Sequence, residues 1–402
     1  MSEWKKVKLG EICSRVTSGG TPKANVESFY APPTIPWLKT KEVNYSRIYK
    51  TENYISEDGL ANSSAKLIAP NSVIIAMYGQ GDTAGRVAIN KIPLTTNQAC
   101  CNLTFDDTKA NYEFVYYQLC TLYDKMVSLK SGAAQPNLNA QIIKGLEILL
   151  PSLVTQNRIA TILSRYDSLI ENYQKQIKLL EEAAQRLYKE WFVDLHFPGH
   201  ENTKIVDGVP EGWEKKKVSE IGKVITGKTP STAKKEYYGE QIPFITIPDM
   251  HTGIYPTSSQ FLSSLGANSQ SGKFVPANSL MVSCIGTAGL VCITKEECQT
   301  NQQINSLVLN DNSLLYYMYN TFLSLKKHLN NIGSNGATMT NVNKSKFESI
   351  EILIPTNSIS NLYNKAVEQS FRSIKTLSSQ IRLLTEARDR LLPKLMSGEI
   401  AV

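Results

Sequence analysis

Apolar residues recur with a 4-3-4-3 spacing through one long stretch of the chain, from Gln156 to Phe192. This heptad pattern predicts an α-helix whose apolar stripe packs along a partner helix. At a rise of about 1.5 Å per residue, such a helix is a rod of roughly 50 Å, longer than one small core requires. The predicted stripe contains Ile159, Leu163, Tyr166, Ile170, Tyr173, Ile177, Leu180, Ala184, Leu187 and Trp191.

A second stretch, from Ser358 to Met396, repeats this spacing and is the predicted partner helix. Its segment "QIRLLTEARDRLLPKL" aligns with "QIKLLEEAAQRLYKEW" of the first stretch. Ser370 and Arg388 interrupt the stripe, and polar residues at such positions can fix the register of a helix pair at some cost in stability. The apolar members are Tyr363, Val367, Ile374, Leu377, Ile381, Leu384, Leu391 and Leu395.

The remaining sequence is also written twice. "WKKVKLGEICSRVTSGGTPK" at the start is echoed by "WEKKKVSEIGKVITGKTPST", and "IPWLKTKEV" by "IPFITIPDM". Further on, "TTNQACCNL" is matched by "QTNQQINSLVL", and "GLEILLP" by "SIEILIP" before each long helix. The chain is therefore one module of about 200 residues in two copies.

Short β-rich runs between Gly, Pro and Asn turns give each globular part a predicted mixed α/β (α+β) fold. The first copy has such runs at 73–77, 87–89 and 147–150, with a helix over 112–129; the second has them at 280–284, 290–294 and 350–354, with a helix over 314–330. We expect two similar globular domains and two long helices in an antiparallel coiled coil, related by an approximate two-fold axis. The predicted segments are globular domains 1–152 and 213–355, long helices 153–196 and 356–402, and a linker 197–212.

Composition narrows the class of protein. The net charge of +7 is compatible with nucleic-acid binding but too small to require it. Seven cysteines without CxxC spacing and four scattered histidines argue against a disulfide framework or a zinc site. The N-terminus has no apolar signal region and no apolar run approaches membrane length, so we expect a cytoplasmic protein. The sequence predicts no catalytic, cofactor-binding or metal-binding residue.

The ordered double occurrence of these motifs resembles the DNA specificity subunit of Type I restriction-modification systems. The resemblance rests on "GGTP"/"GKTP", "IPW"/"IPF", the "LLP"/"LIP" entry to each helix and the "FPG...VPEGW" linker, and it covers essentially the whole chain. It implies that each globular part is a target recognition domain for one half of an asymmetric, split DNA target. The paired helices would set the gap between the halves.

The resemblance also implies partners and cofactors. Two modification (methyltransferase) subunits would dock on the helices, and restriction subunits would join the full complex. S-adenosylmethionine, ATP and Mg²⁺ would be bound by those partner subunits and not by this chain. The modification-subunit contact rests on the resemblance alone, because no motif in the helices indicates it. Tyr166, Tyr173 and Trp191 are nevertheless large for a tight two-helix stripe and could cover helices of a partner.

Candidate DNA contacts are polar or basic side chains in loops beside glycines that let the backbone approach phosphate. Several of these loops could equally be ordinary turns. The first module offers Ser18, Gly19, Gly20, Thr21, Lys23, Lys39, Lys41, Tyr78, Gln80, Gln135 and Asn137. The second offers Thr226, Lys228, Thr229, Lys234, Lys235, Thr246, Asp249, Thr287, Ser334, Asn335, Thr338 and Asn341.

Other functions stay open at this point. "GKVITGKT" fits the GxxxxGK[ST] pattern of a phosphate-binding loop, which would make the chain a DNA-processing enzyme with its own nucleotide site. The charged residues before it and Pro230 after it disfavour the strand and helix that such a site needs. A specificity subunit of a related system that cleaves beside its bipartite site is a second alternative, and a purely structural coiled-coil adaptor is a third.

Overall fold

The structure is a computed structural model, and it describes residues 4–130, 137–334 and 340–402. The chain divides into two compact units, one formed by Met1–Ile170 with Leu384–Val402 and the other by Glu171–Leu383. Both units combine helices and strands, as the sequence predicts.

Three sheets organise unit 1, with the strand orders β2-β9-β6-β7-β4, β5-β3-β8 and β1-β10. The strands are β1 Lys5–Lys8, β2 Cys13–Ser18, β3 Ile35–Leu38, β4 Ser46–Ile48, β5 Asn53–Ile55, β6 Val73–Ala76, β7 Val87–Asn90, β8 Thr95–Thr96, β9 Cys100–Phe105 and β10 Glu147–Leu150. The helices are α1 Leu9–Ile12, α2 Glu57–Ala61, α3 Tyr112–Thr121, α4 Tyr123–Ser128, α5 Ala140–Gly145 and α6 Leu153–Tyr188.

Unit 2 has the orders β14-β20-β17-β18, β16-β15-β19, β13-β21 and β11-β12. Its strands are β11 Ile205–Val206, β12 Val209–Pro210, β13 Glu214–Lys217, β14 Gly222–Thr226, β15 Tyr238–Ile245, β16 Gln260–Leu262, β17 Leu280–Ser283, β18 Val291–Ile293, β19 Gln299–Thr300, β20 Ile304–Leu309 and β21 Glu351–Ile354. Its helices are α7 Val218–Ile221, α8 Ile247–Met250, α9 Ser264–Asn268, α10 Leu315–Ser324, α11 Lys326–Gly333, α12 Lys344–Glu348 and α13 Asn357–Met396.

The two units share one topology. Strands β2, β9, β6 and β7 of unit 1 occur in the same order as β14, β20, β17 and β18 of unit 2, and β4 is an addition to unit 1. Likewise β5-β3-β8 corresponds to β16-β15-β19, and β1-β10 to β13-β21. Every residue of β6 and β17 is buried, which explains why β6 and the first three residues of β17 are apolar without alternation. The sequence repeat is thus a repeat of fold.

The two long helices are confirmed, with small shifts of their ends. Helix α6 begins at Leu153 and passes at Lys189 into a π-helical turn that ends at Val193. All ten predicted stripe positions of α6 are buried or half-buried. In α13 the prediction at Ser370 is wrong by one residue: Phe371, 1% exposed, takes the buried position beside Tyr363, Val367 and Ile374. A straight helix drifts against a strict heptad, which is why the stripe shifts there.

Within each unit, segments of α6 and α13 run in opposite directions and close the core. In unit 1, Ile159 and Leu163 pack with Leu395 and Met396 against the cluster that holds Phe114 of α3. In unit 2, Ala184 packs with Tyr363, whose hydroxyl donates to the Ala184 carbonyl at 3.2 Å. The helices therefore belong to the hydrophobic cores of both units.

A buried ion cluster explains the polar interruption at Arg388. Arg388 Nη1 lies 2.6 Å from Asp167 Oδ1, and Arg47 of β4 lies 3.3 Å from Asp167 Oδ2. The hydroxyl of Tyr117 also donates to Asp167 Oδ2. Burial first, then the Asp167 charge, raises the pKa of Tyr117, so its phenol stays neutral and can donate. One carboxylate thus joins α6, α13, α3 and the sheet of unit 1.

Replacing Asp167 with Asn should destabilise unit 1 strongly, because two guanidinium groups would lose their shared counter-charge while the side-chain shape is kept. We expect a loss of about 3 kcal/mol, measured as the shift of the first transition in urea unfolding. Asp389→Asn is the matched control, since Asp389 also binds Arg388 but its side chain is 56% exposed; it should cost under about 0.5 kcal/mol. Equal losses in the two variants would contradict the cluster's role.

The cysteine thiols should resist modification in the folded protein. Burial raises the pKa of Cys101, Cys284, Cys292 and Cys298 to about 12 in each case. Because thiolate is the reactive form, a thiol with this pKa is ionised at pH 8 in only about one molecule in ten thousand. An aromatic disulfide reagent at pH 8 should titrate these thiols only after denaturation. Rapid native reaction of any of these four would contradict their burial.

Candidate nucleic-acid interface

The predicted DNA-contact loops of unit 1 meet at one end of its sheets. Strand β2 ends at Ser18, which pairs with Cys101, and β6 ends at Ala76, which pairs with Cys100. Leu38, the last residue of β3, pairs with Thr96. The loops over 18–23, 39–41 and 78–83 therefore all start beside the beginning of β9. The backbone bond from Leu138 N to Met77 O, at 3.0 Å, brings Asn137 to the same end.

Unit 2 gathers the corresponding loops in the same way. Thr226 at the end of β14 pairs with Asn305, and Ser283 at the end of β17 pairs with Ile304. Residues 286 and 287 lie beside the chain at 340–341, because Gly286 N donates to Thr340 O at 3.0 Å. Thr246 follows β15, whose last residue pairs with Thr300. Each unit thus presents a cluster of polar loops at one sheet end.

The glycines of these loops have a packing role. A Cβ on Gly19 would lie 2.2 Å from Asn97 O, and one on Gly227 would lie 2.1 Å from Asn301 O. The amides are also occupied, since Gly19 N donates to Cys100 O at 3.2 Å and Gly227 N donates to Ile304 O at 3.0 Å. Room for a phosphate is therefore not what requires these two glycines. They allow the loop after the first core strand to lie directly on the TNQ loop, Thr96–Gln98 or Thr300–Gln302. Gly20 is likewise buried against residues 64 and 65.

Two residues of this cluster, Gln98 and Gln302, are not among the contacts predicted from the sequence. Both are exposed, and each accepts a hydrogen bond from a predicted residue: Thr21 Oγ1 donates to Gln98 Oε1, and Thr229 Oγ1 donates to Gln302 Oε1 at 2.5 Å. The sequence does mark these two glutamines, because "TNQ" occurs at the same place in both modules. Only the fold shows that this segment lies beside "GGTP" and "GKTP".

The lysines of the cluster differ in their surroundings. Lys23, Lys228 and Lys235 are exposed. The ammonium of Lys39 lies 4.9 Å from the centre of the Trp37 ring, which holds it over an aromatic face.

Two further lysines have partners that keep them charged. Lys41 forms an ion pair with Glu52, and hydrogen bonding by Glu52 raises its pKa. Lys234 donates to Tyr237 OH at 3.1 Å, and this bond raises its pKa as well. Both positive charges are therefore retained at neutral pH, although that of Lys41 is offset by its partner.

The remaining predicted DNA contacts include exposed side chains and side chains that form hydrogen bonds within the protein. Gln80, Thr287, Ser334 and Asn341 are exposed. Tyr78 is half-buried, and burial raises its pKa, so the phenol is neutral at physiological pH. The side chains of Thr226 and Ser334 are engaged within the protein: Thr226 Oγ1 donates to Asn305 Oδ1 at 2.7 Å, and Ser334 Oγ to Asn330 O at 2.5 Å.

Asp249 is not available to DNA, contrary to the sequence prediction. Its side chain is 3% exposed, and its carboxylate caps α8 by accepting from Thr246 N at 2.8 Å and Thr246 Oγ1 at 2.7 Å. Its second oxygen accepts from Ser259 N at 2.9 Å. The segment Thr-Ile-Pro-Asp at 246–249, which suggested a polar loop, is a helix-capping box. The predicted contacts Gln135, Asn335 and Thr338 lie outside the described residues.

The GxxxxGK[ST] match does not form a phosphate-binding loop. Its first five residues, Gly222–Thr226, are strand β14. No helix starts at Lys228, whose amide instead donates to Thr300 O at 2.9 Å. The helix N-terminus on which a nucleotide phosphate would rest is therefore missing at this position.

Within the described ranges, no group of three His, Cys, Asp or Glu side chains is arranged to hold a metal ion. In the same part of the chain, no helix is both long enough and apolar enough to cross a membrane.

Comparison with known proteins agrees with this architecture. A family model for the Type I restriction modification DNA specificity domain matches residues 1–182 and again 210–385. The HindI specificity subunit of Haemophilus influenzae is 31% identical, with all of both chains covered. The MjaIX specificity subunit of Methanocaldococcus jannaschii is 29% identical over all of this chain and 94% of its own.

A solved structure shows the same fold at low sequence identity. The S subunit of a Type I restriction-modification system from M. genitalium matches with a TM-score of 0.64 and 16% identity, over 98% of this chain and 96% of its own. The duplicated topology, the doubled family match and the full-length relatives agree. The chain belongs to the family of Type I restriction-modification DNA specificity subunits, with two tandem target recognition domains.

Proposed function

We propose that this chain supplies the DNA sequence specificity of a Type I restriction-modification complex, each unit reading one half of an asymmetric bipartite target. The observation that carries the proposal is the pair of equivalent loop clusters on two units of one topology. Where unit 1 presents the 78–83 loop "YGQGDT", unit 2 presents "IGTA" at 285–288. Because base edges are read by side chains that match them, clusters that differ in sequence should read different half-sites.

We further propose that catalysis belongs to partner subunits. Methyl transfer would use S-adenosylmethionine on two modification subunits, and cleavage would use ATP and Mg²⁺ on restriction subunits. The predicted contacts with exposed side chains, such as Thr21, Gln80 and Lys228, carry hydroxyl, amide and ammonium groups. Such groups bind phosphates and base edges, whereas general acid–base chemistry calls for a group that titrates near neutral pH.

The long helices are the proposed docking surface for the modification subunits. Several leucines on α6 and α13 are exposed, namely Leu169 at 39%, Leu179 at 61%, Leu362 at 43% and Leu383 at 54%. In unit 2, Leu179, Leu180 and Leu377 line a groove of about 660 Å³ between the two helices. Apolar side chains exposed beside a groove are typical of helix-binding surfaces.

Deleting the gene should remove one gapped, two-part methylation motif from the genome. Single-molecule sequencing of adenine methylation, with and without the gene, is the measurement. Restoring the intact gene should restore the same motif. An unchanged methylome in cells that hold the modification subunit would contradict the proposed function.

The helices should act as a spacer between half-sites. Four residues inserted near Glu181 add about 6 Å of helix, comparable to one or two base-pair steps. We expect the methylated motif to keep both half-sites and to lengthen its gap by about that amount. An equal insertion after the exposed Glu201, outside the two long helices, is the control and should leave the gap unchanged. Altered bases with an unaltered gap would refute the spacer role.

A further inference from the structure

The Thr21–Gln98 pair in unit 1 and the Thr229–Gln302 pair in unit 2, here called the Thr–Gln pairs, lie on frameworks that match bond for bond. Gly20 N donates to Thr96 O at 2.8 Å, and Lys228 N donates to Thr300 O at 2.9 Å. Beyond each pair, Tyr30 OH donates to Pro22 O at 2.7 Å, as Tyr238 OH does to Pro230 O at 3.0 Å.

The backbone hydrogen bonds that hold each TNQ loop to its neighbouring strands also match between the two units. Asn97 N donates to Leu38 O at 2.9 Å, and Asn301 N donates to Ile245 O at 3.1 Å. The following residue of each TNQ loop also accepts from the end of the neighbouring core strand, through Met77 N to Ala99 O and Cys284 N to Gln303 O, both at 2.8 Å. The framework that holds the glutamine is therefore hydrogen-bonded in the same way in both units.

Core packing does not account for the glutamines themselves. Gln98 and Gln302 are exposed, and a hydrogen bond between exposed side chains adds little to stability because water competes for both groups. The threonine hydroxyl donates a hydrogen bond to the side-chain amide oxygen of the glutamine, and this bond orients the carboxamide. Each side-chain NH₂ group then has no partner among the residues that the structure describes. Both units thus present a pre-oriented donor at the same end of the same sheet.

We propose that the two Thr–Gln pairs bind phosphate oxygens of DNA and so hold each unit on the duplex whatever its base sequence. The proposal rests on the proposed function. A device that is the same in both units cannot encode two different half-sites, whereas the phosphate backbone is the same in both. Amide N–H groups are regular donors to phosphate, and phosphate contacts position a reader without specifying bases. The threonines are positioning residues, and the glutamines make the contact.

The test uses the full-length chain assembled with its modification subunit. Gln98→Ala and Gln302→Ala should each weaken binding by about tenfold, equally for the wild-type target and for duplexes with one half-site base changed. The methylated motif should keep every base. Gln98→Glu keeps the shape but places a carboxylate against phosphate, so its loss of affinity relative to wild type should be larger still at low salt and smaller at high salt, where the repulsion is screened.

Thr21→Val removes the hydroxyl at nearly constant volume and should reproduce part of the loss seen with Gln98→Ala. Gln241→Ala, an exposed glutamine of β15 without a DNA assignment, is the matched control and should bind like wild type. Melting curves and subunit assembly of each variant establish that it is folded.

Three results would be decisive against these conclusions. Relaxation of one base in the motif by Gln98→Ala would make Gln98 a base reader and overturn the phosphate assignment. Unchanged affinity in folded Gln98→Ala and Gln302→Ala variants would make the pairs structural only. If the wild-type complex itself recognised no gapped target, the proposed function would fail, which is distinguishable from either of these results.

Discussion

The core of each unit is closed by helical segments that come from two distant parts of the sequence. Phe114 and its neighbours in unit 1 are covered by Ile159 and Leu163 of α6 and by Leu395 and Met396 of α13. In unit 2, Phe322 of α10 shares a core with Ala184 of α6 and with Tyr363 and Phe371 of α13. Burying such side chains is the main favourable contribution to folding. A globular domain without its helical segments would expose these faces, so domain and helices form one structural element.

This arrangement separates what must be constant from what can vary. The strand order and the contact between the TNQ loop and the glycine loop are common to both units. The loops that leave this framework differ in length and in side chains. In such a domain the loop sequences can change with little effect on the core, because loops at a sheet end make few buried contacts.

Periodicity and repetition in the sequence predict most of the fold. The heptad stripes locate α6 and α13, and the repeated motifs predict that the units share a topology. They could not show why Arg388 stands in an apolar stripe, since its partner Asp167 lies 221 residues away in sequence. They also placed Ser370 where Phe371 is buried, because one residue of drift along a helix leaves the pattern almost unchanged.

The candidate site is harder to predict, because its chemistry depends on which loops are neighbours. Thr21 and Thr229 were recognisable from residue type, and "TNQ" recurs in both modules, but only the strand register shows that Gln98 and Gln302 lie beside these threonines. Asp249 shows the opposite error. Its residue type suits a DNA-contact loop, yet the capping of α8 buries it, and neither composition nor repetition distinguishes a cap from a contact.

The placement of residues 384–402 in unit 1 has a consequence for the order of synthesis. A ribosome makes the N-terminal part of unit 1 first, but Leu395 and Met396 of its core are made only after all of Glu171–Leu383. The apolar face of the first globular domain therefore stays partly uncovered while some 200 further residues are translated. At a synthesis rate of about 20 residues per second this lasts on the order of ten seconds, during which the nascent chain is open to chaperones and to aggregation.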